Sequence, residues 1–191
     1  MSPLAEREKQ LLLELARRAL IAGVEKREPL RDFPDDNILQ QPGGAFVTLH
    51  RRGRLRGCVG QLPAKDALVA VVAHCAKAAA LEDPRFKPVL VEELAEIEIE
   101  LSILSPLQDV TLEKIEAGKH GLVVSRGWHR GVLLPQVATE FKWQAVRFLE
   151  ETCVKAGLEP EAWKDPHTRV QAFTAEVFGE PALHPRVRPL R

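Results

Sequence analysis

Between Ala95 and Ser105 the chain alternates without a slip: Ile97, Ile99, Leu101 and Ile103 share one parity, and Glu96, Glu98, Glu100 and Ser102 share the other. A period of two puts the aliphatic residues on one face of a strand and the polar residues on the opposite face. A one-residue slip would carry the whole apolar set into water, so this segment requires a sheet with one face buried. Something must cover that face. Leu4, Leu11, Leu12, Leu15, Ala19 and Leu20 recur at helical spacing and predict a helix from Pro3 to Lys26 capped by Ser2. Leu68, Val71, Val72, Cys75 and Ala79 predict another from Asp66 to Leu81, with Asp66 as its cap.

Ala45 to His50 and Arg54 to Leu62 read as a hairpin, and Leu122 to Ser125 with Arg130 to Leu134 as another around Arg126-Gly127. Pro135 begins a short turn or helix, Gln144 to Ala156 forms a further long helix ended by Gly157, and Val170 to Phe178 is an alternating strand. Glu28 to Gly44, with three prolines, is a surface loop, and the proline-rich tail from Glu180 to Arg191 adds no regular element. Hairpins mixed irregularly with helices argue for an α+β fold with mixed, mostly antiparallel sheets, in one domain spanning residues 1–191.

A single domain of 191 residues buries roughly 70% of the surface its unfolded chain exposes, enough for a true core. No apolar run reaches the ~20 residues that cross a bilayer, and the N-terminus reads as the start of a helix rather than a secretory signal, so a cytoplasmic protein without membrane attachment is expected. Twenty-seven basic residues balance 27 acidic ones, which removes the overall charge of a nucleic-acid coat. Cys58, Cys75 and Cys153 form no C-x-x-C pair, and the six histidines form no compact ligand pattern. Neither a protein-bound metal nor a cofactor motif is predicted.

The stretch RGRLRGCVGQL, from Arg52 to Leu62, sets a cysteine between glycines and downstream of arginines. On an unbulged strand Arg54, Arg56 and Cys58 share a face, and a guanidinium two residues away can reach the thiol. A cysteine with pKa near 8.5 is about 3% thiolate at pH 7, and a cation that lowers the value to about 7 makes it half thiolate. Cys58 is thus a candidate nucleophile, with Arg56, Gly57 and Gly60 as candidate anion-binding positions. A three-residue loop at Arg51-Arg52-Gly53 would leave His50 about 13 Å from Cys58, so a partner histidine is sought at His74, His120 or His129.

The alternative for Cys58 is packing: the glycines admit a bulge or close backbone approach, and the cysteine fills a small core gap. Arg51, Arg52 and Arg54 are then solvated residues at a hairpin tip. The row Glu96, Glu98 and Glu100 could coordinate a metal or pair with the arginine strand, and a solvated strand face is the preferred account. Arg56 is expected to hold either an internal carboxylate or an external anion, and the second version is the one preferred on sequence.

LRGCVG, DPRF at Asp83 to Phe86, IEIELSILSPL, HGLVV at His120 to Val124, and LLPQVA running towards Trp143 occur in an order that resembles the AMMECR family, whose bacterial members are called AmmeMemoRadiSam system protein A. The resemblance spans about Phe46 to Phe178. It departs from the family pattern at Val59, usually isoleucine, and at Phe141-Lys142, usually Gln-Gly. The resemblance implies two subdomains forming one compact unit, with the LRGCVG segment in a cleft, and working partners in a Memo-like protein and a radical SAM protein. It supplies no reaction. Three functions follow as expectations: a thiol-dependent enzyme or binder of a small anionic ligand, a non-catalytic adaptor for those partners, and, third, a nucleic-acid binder resting on the arginine-rich hairpin.

Overall fold

A computed structural model describes residues 3–28, 30, 32–62, 65–181 and 183–184. They divide into two compact units, one comprising residues 1–104 with 176–191 and the other residues 105–175. The first opens with α1 (Glu6–Val24), which starts later than predicted: its N-cap is Ala5, and the Ala5 N–H donates to the Glu8 carboxylate at 2.6 Å. Alanine has no side-chain acceptor, so only this half of a capping box exists. Pro3 precedes the helix, and Ser2 lies outside the described residues. Strands β1 (Gly44–Arg51) and β2 (Arg54–Gln61) form the first hairpin, followed by α2 (Leu68–Leu81). The expected cap Asp66 instead accepts a hydrogen bond from the Gln61 side chain at 2.8 Å, and Ala67 occupies the cap position. A 3₁₀ turn at Val91–Glu96 leads into β3 (Ile97–Leu104).

Ile97, Ile99, Leu101 and Ile103 of β3 are buried in a core shared with α1 and α2, where Leu12, Leu15, Leu20, Val47, Leu49 and Val72 are fully enclosed. The polar parity of β3 is not the solvated face that alternation suggests. Glu98 is 1% exposed and accepts the Leu183 and His184 N–H groups at 2.9 and 3.1 Å, because the chain beyond Glu180 returns over it.

The second unit contains β4 (Gln108–Asp109), the hairpin β5 (Gly121–Arg126) and β6 (His129–Leu133), the helices α3 (Pro135–Phe141) and α4 (Ala145–Lys155), and β7 (Arg169–Phe173). Its core gathers Leu122, Val124, Phe148, Leu149 and Cys153. The predicted strand from Val170 to Phe178 is two strands, because β8 (Ala175–Gly179) joins the other sheet after a break at Thr174. Period-two alternation is blind to such a change of partner. The sheets run β2-β1-β3-β8 and β4-β7-β5-β6, and the pairings β1 with β2 and β3, and β5 with β6 and β7, are antiparallel. Among the described residues no helix is long and apolar enough to cross a membrane.

Candidate functional site

The turn between β1 and β2 is two residues long, Arg52-Gly53, with φ of 51° and 71°, in place of the three-residue loop read from the sequence. Two left-handed residues are the signature of a type I′ turn, whose twist suits a tight hairpin. Unbulged, that turn would set Cys58 opposite Val47, on the core face. The register instead shifts after His50: His50 pairs with Leu55 but Leu49 pairs with Gly57, so Arg56 is an extra residue. This bulge returns Cys58 to a position opposite Thr48, which in turn pairs with Glu100 on β3. Cys58, Thr48 and Glu100 therefore form a row across three strands on the face opposite the helices. His50 lies two residues along β1 from Thr48 on that same face, about 7 Å along the strand rather than about 13 Å.

The bulge also separates Arg56 from the thiol it was expected to accompany. Arg56 Nε donates to Glu93 Oε1 at 3.0 Å and Nη2 to Glu93 Oε2 at 2.9 Å, while the Lys87 and Pro88 carbonyls accept further bonds at 2.9 and 3.3 Å. An arginine so occupied is not waiting for an external anion, and the sequence preference for one is corrected. Its carboxylate comes from the 3₁₀ turn rather than from the face of β3. The Arg56 guanidinium, the Leu90 N–H and Arg51 hold the Glu93 carboxyl down at about 2. Arg51 and Arg52, expected to be solvated, both bind Glu96.

Gly57 and Gly60 are packing positions. A Cβ on Gly57 would lie 2.0 Å from the Ala79 carbonyl oxygen, so its absence lets β2 approach the backbone of α2. A Cβ on Gly60 would lie 2.1 Å from the Phe46 ring, which covers the glycine from the paired strand. In both places the protein leaves no room for a side chain.

The residues that do surround Cys58 come from DPRF. Asp83 Oδ2 accepts the Cys58 N–H at 2.8 Å, and the Arg85 guanidinium binds both Asp83 oxygens at 2.9 and 2.7 Å. Asp83 also accepts the Arg85 N–H, an Asx turn that the Asp-Pro pair foreshadows. The Thr48 hydroxyl donates to Cys58 Sγ at 3.3 Å. Burial nevertheless pushes the thiol above its ordinary value; Thr48 and Arg85 pull it down, Asp83 and Glu100 push it up, and burial prevails. Of the candidate histidines, His74 is exposed on α2, His120 accepts the Glu116 N–H, and His129 meets the Ala156 carbonyl. Among the described residues no group of three or more His, Cys, Asp or Glu side chains is gathered as metal ligands would be.

The AMMECR1 family pattern matches residues 13–178. The chain belongs to the AMMECR1 family. The match begins well before Phe46, the start of the sequence resemblance, and so takes most of α1 into the AMMECR1 domain. A protein of Methanothermobacter thermautotrophicus is 43% identical over 188 residues, covering 94% of this chain and 97% of that one. A Pyrococcus furiosus protein is 42% identical over 186 residues, covering 90% of this chain and 87% of that one. The crystal structure of an uncharacterized protein from Pyrococcus horikoshii superposes with a TM-score of 0.78 at 39% identity, covering 94% of this chain and 95% of that one. LRGCVG and DPRF, far apart in this AMMECR1 sequence, meet at one hydrogen-bonded locus, the Cys58 backbone on the Asp83 carboxylate.

Proposed function

We propose that this AMMECR1 protein is a non-catalytic interaction module that serves the Memo-like and radical SAM proteins implied by its sequence resemblance. The observation that carries this reading is Trp128, 97% exposed at the tip of the β5-β6 hairpin beside exposed His129 and Arg130. Gly127, with φ of 59°, opens that two-residue turn and holds the indole out on a short, hydrogen-bonded hairpin. Tryptophan and arginine are the side chains that most often anchor protein interfaces, since a rigid ring buries a large area at small entropic cost. The reading also fits the internal occupation of Arg56, Gly57 and Gly60. It fits a neutral protein whose hairpin arginines Arg51 and Arg52 are compensated by carboxylates, which weakens the nucleic-acid alternative.

The test is co-expression with the two partners followed by size-exclusion chromatography. A stoichiometric complex that survives Cys58→Ser and weakens on Trp128→Ala supports the module. No complex, or one lost on Cys58→Ser with folding intact, overturns it. A thiol-dependent reaction is the second reading, favoured by the Thr48 hydroxyl that donates to the Cys58 sulfur and would stabilise a thiolate once formed.

A further inference from the structure

Outside the Cys58 locus, the first unit carries a cavity of about 530 Å³ on the outer side of α1 and α2. Its floor is made of small residues, Ala19, Ala22 and Gly23 from α1 and Ala70 and Ala73 from α2, so that space remains where larger side chains would close the helix interface. Phe33 and Leu81 add apolar wall. Volume and lining are those of a small-molecule site, mostly apolar with a few convergent polar groups.

Those groups are cations. Lys26, just past the end of α1, and Lys77 on α2 both line the cavity, and among the described residues neither has an ion-pair partner. Arg27 lines it too but is paired with Glu25, while exposed His74 adds a further ring nitrogen. Among the described residues no aspartate or glutamate lines the cavity. The Lys77 stem passes directly over Gly23, where a Cβ would come within 2.8 Å of the lysine Cγ. The stem thus covers apolar floor while the exposed ammonium stays available to a ligand, the usual division of labour in a long cationic side chain.

We propose that this cavity binds a small amphipathic anion, a medium-chain body with a carboxylate or phosphate monoester head held between Lys26 and Lys77. The apolar body lies along the alanine floor, displacing water from surface that offers no hydrogen bonds. The head receives charge-assisted hydrogen bonds from two ammonium groups, Lys26 just past the end of α1 and Lys77 on α2. The site does not depend on the interaction-module reading and uses none of its residues.

The probes are decanoate and decyl phosphate, with decanol and decyltrimethylammonium as controls, titrated calorimetrically into the full chain below their micellar concentrations. Expected are saturable one-to-one binding of both anions, binding on the order of tenfold weaker for decanol, and none for the cation. Lys26→Ala/Lys77→Ala should weaken decanoate by about tenfold or more. Ala73→Leu, which fills the floor, should abolish binding while leaving the melting temperature equal or higher. Should Ala73→Leu fail to fold, Lys77→Glu, an exposed substitution, decides the same point by losing the anions. Equal binding of anionic and cationic probes, no saturable binding, or full binding by a folded Ala73→Leu overturns the proposal. A membrane source is separated by sedimentation with phosphatidylglycerol vesicles: association that decanoate does not compete away would make the surface a lipid contact and overturn the free-ligand site.

Discussion

Arg56 and Glu93 form a two-point ion pair largely removed from solvent, their side chains 15% and 10% exposed. Taking away Arg56 leaves the buried Glu93 carboxylate with Arg51 and the Leu90 N–H but without its two-point partner, which costs more than the pair itself contributes. Arg56→Met should lower stability by about 3 kcal/mol in chemical denaturation. Arg56→Met/Glu93→Leu should recover most of that loss. An unchanged melting temperature in Arg56→Met would mean that the arginine is not an internal brace.

The same pair shapes the acid limb of stability. Glu93 titrates at about 2 when folded against an ordinary 4.5, so its contribution is complete above about pH 4.5 and is lost as the pH falls towards 2. Asp83, held below the usual carboxylate range by Arg85, acts in the same direction and extends to lower pH. Urea midpoints measured between about pH 5 and 2.5 should fall less steeply in Glu93→Gln than in the parent, although the variant is weaker at neutral pH. Parallel slopes would show that Glu93 is not linked to folding.

Cys58 should behave as a slow thiol. With burial holding it above its ordinary value, iodoacetamide labelling followed by mass spectrometry should remain minor at pH 7 and rise only as the solution approaches and passes pH 9. Cys75, pushed up to about 12, should label only after unfolding. Rapid modification of Cys58 below pH 8 would restore the activated nucleophile and favour the thiol-dependent reading.

The two motif glycines should differ in their sensitivity to alanine. At Gly57 the new methyl meets backbone, the Ala79 carbonyl, which shifts only if the helix or strand moves; at Gly60 it meets the Phe46 ring, which can turn aside. Overpacking costs typically 1–3 kcal/mol, so Gly57→Ala should fall at or beyond the upper end and Gly60→Ala nearer the lower. Thermal unfolding of both variants gives the order, and a reversed order would show that β2 yields more readily than the ring.

Much of the architecture is local and was legible in the residues. The alternation of β3, the spacing of Leu12, Leu15 and Ala19, and Gly157 at the end of α4 each encode an element within a few positions, because period and backbone preference act over one or two turns. The motifs LRGCVG and DPRF could be read from the sequence in the same way, as could the family to which they point.

Pairing across the fold was decided only in three dimensions. The inserted Arg56 reverses the strand parity that had aligned the arginine with Cys58; the glycines of RGRLRGCVGQL admit a bulge but do not fix where it falls. The guanidinium then meets Glu93, 37 residues away, while Cys58 meets Asp83, 25 residues away, and both partners lie in segments whose position depends on the packing of α2 and β3. A strand periodicity specifies which residues share a face. It does not specify what the rest of the chain brings to that face, and here the contacts thus formed make Arg56 a brace while burial pushes the Cys58 thiol up.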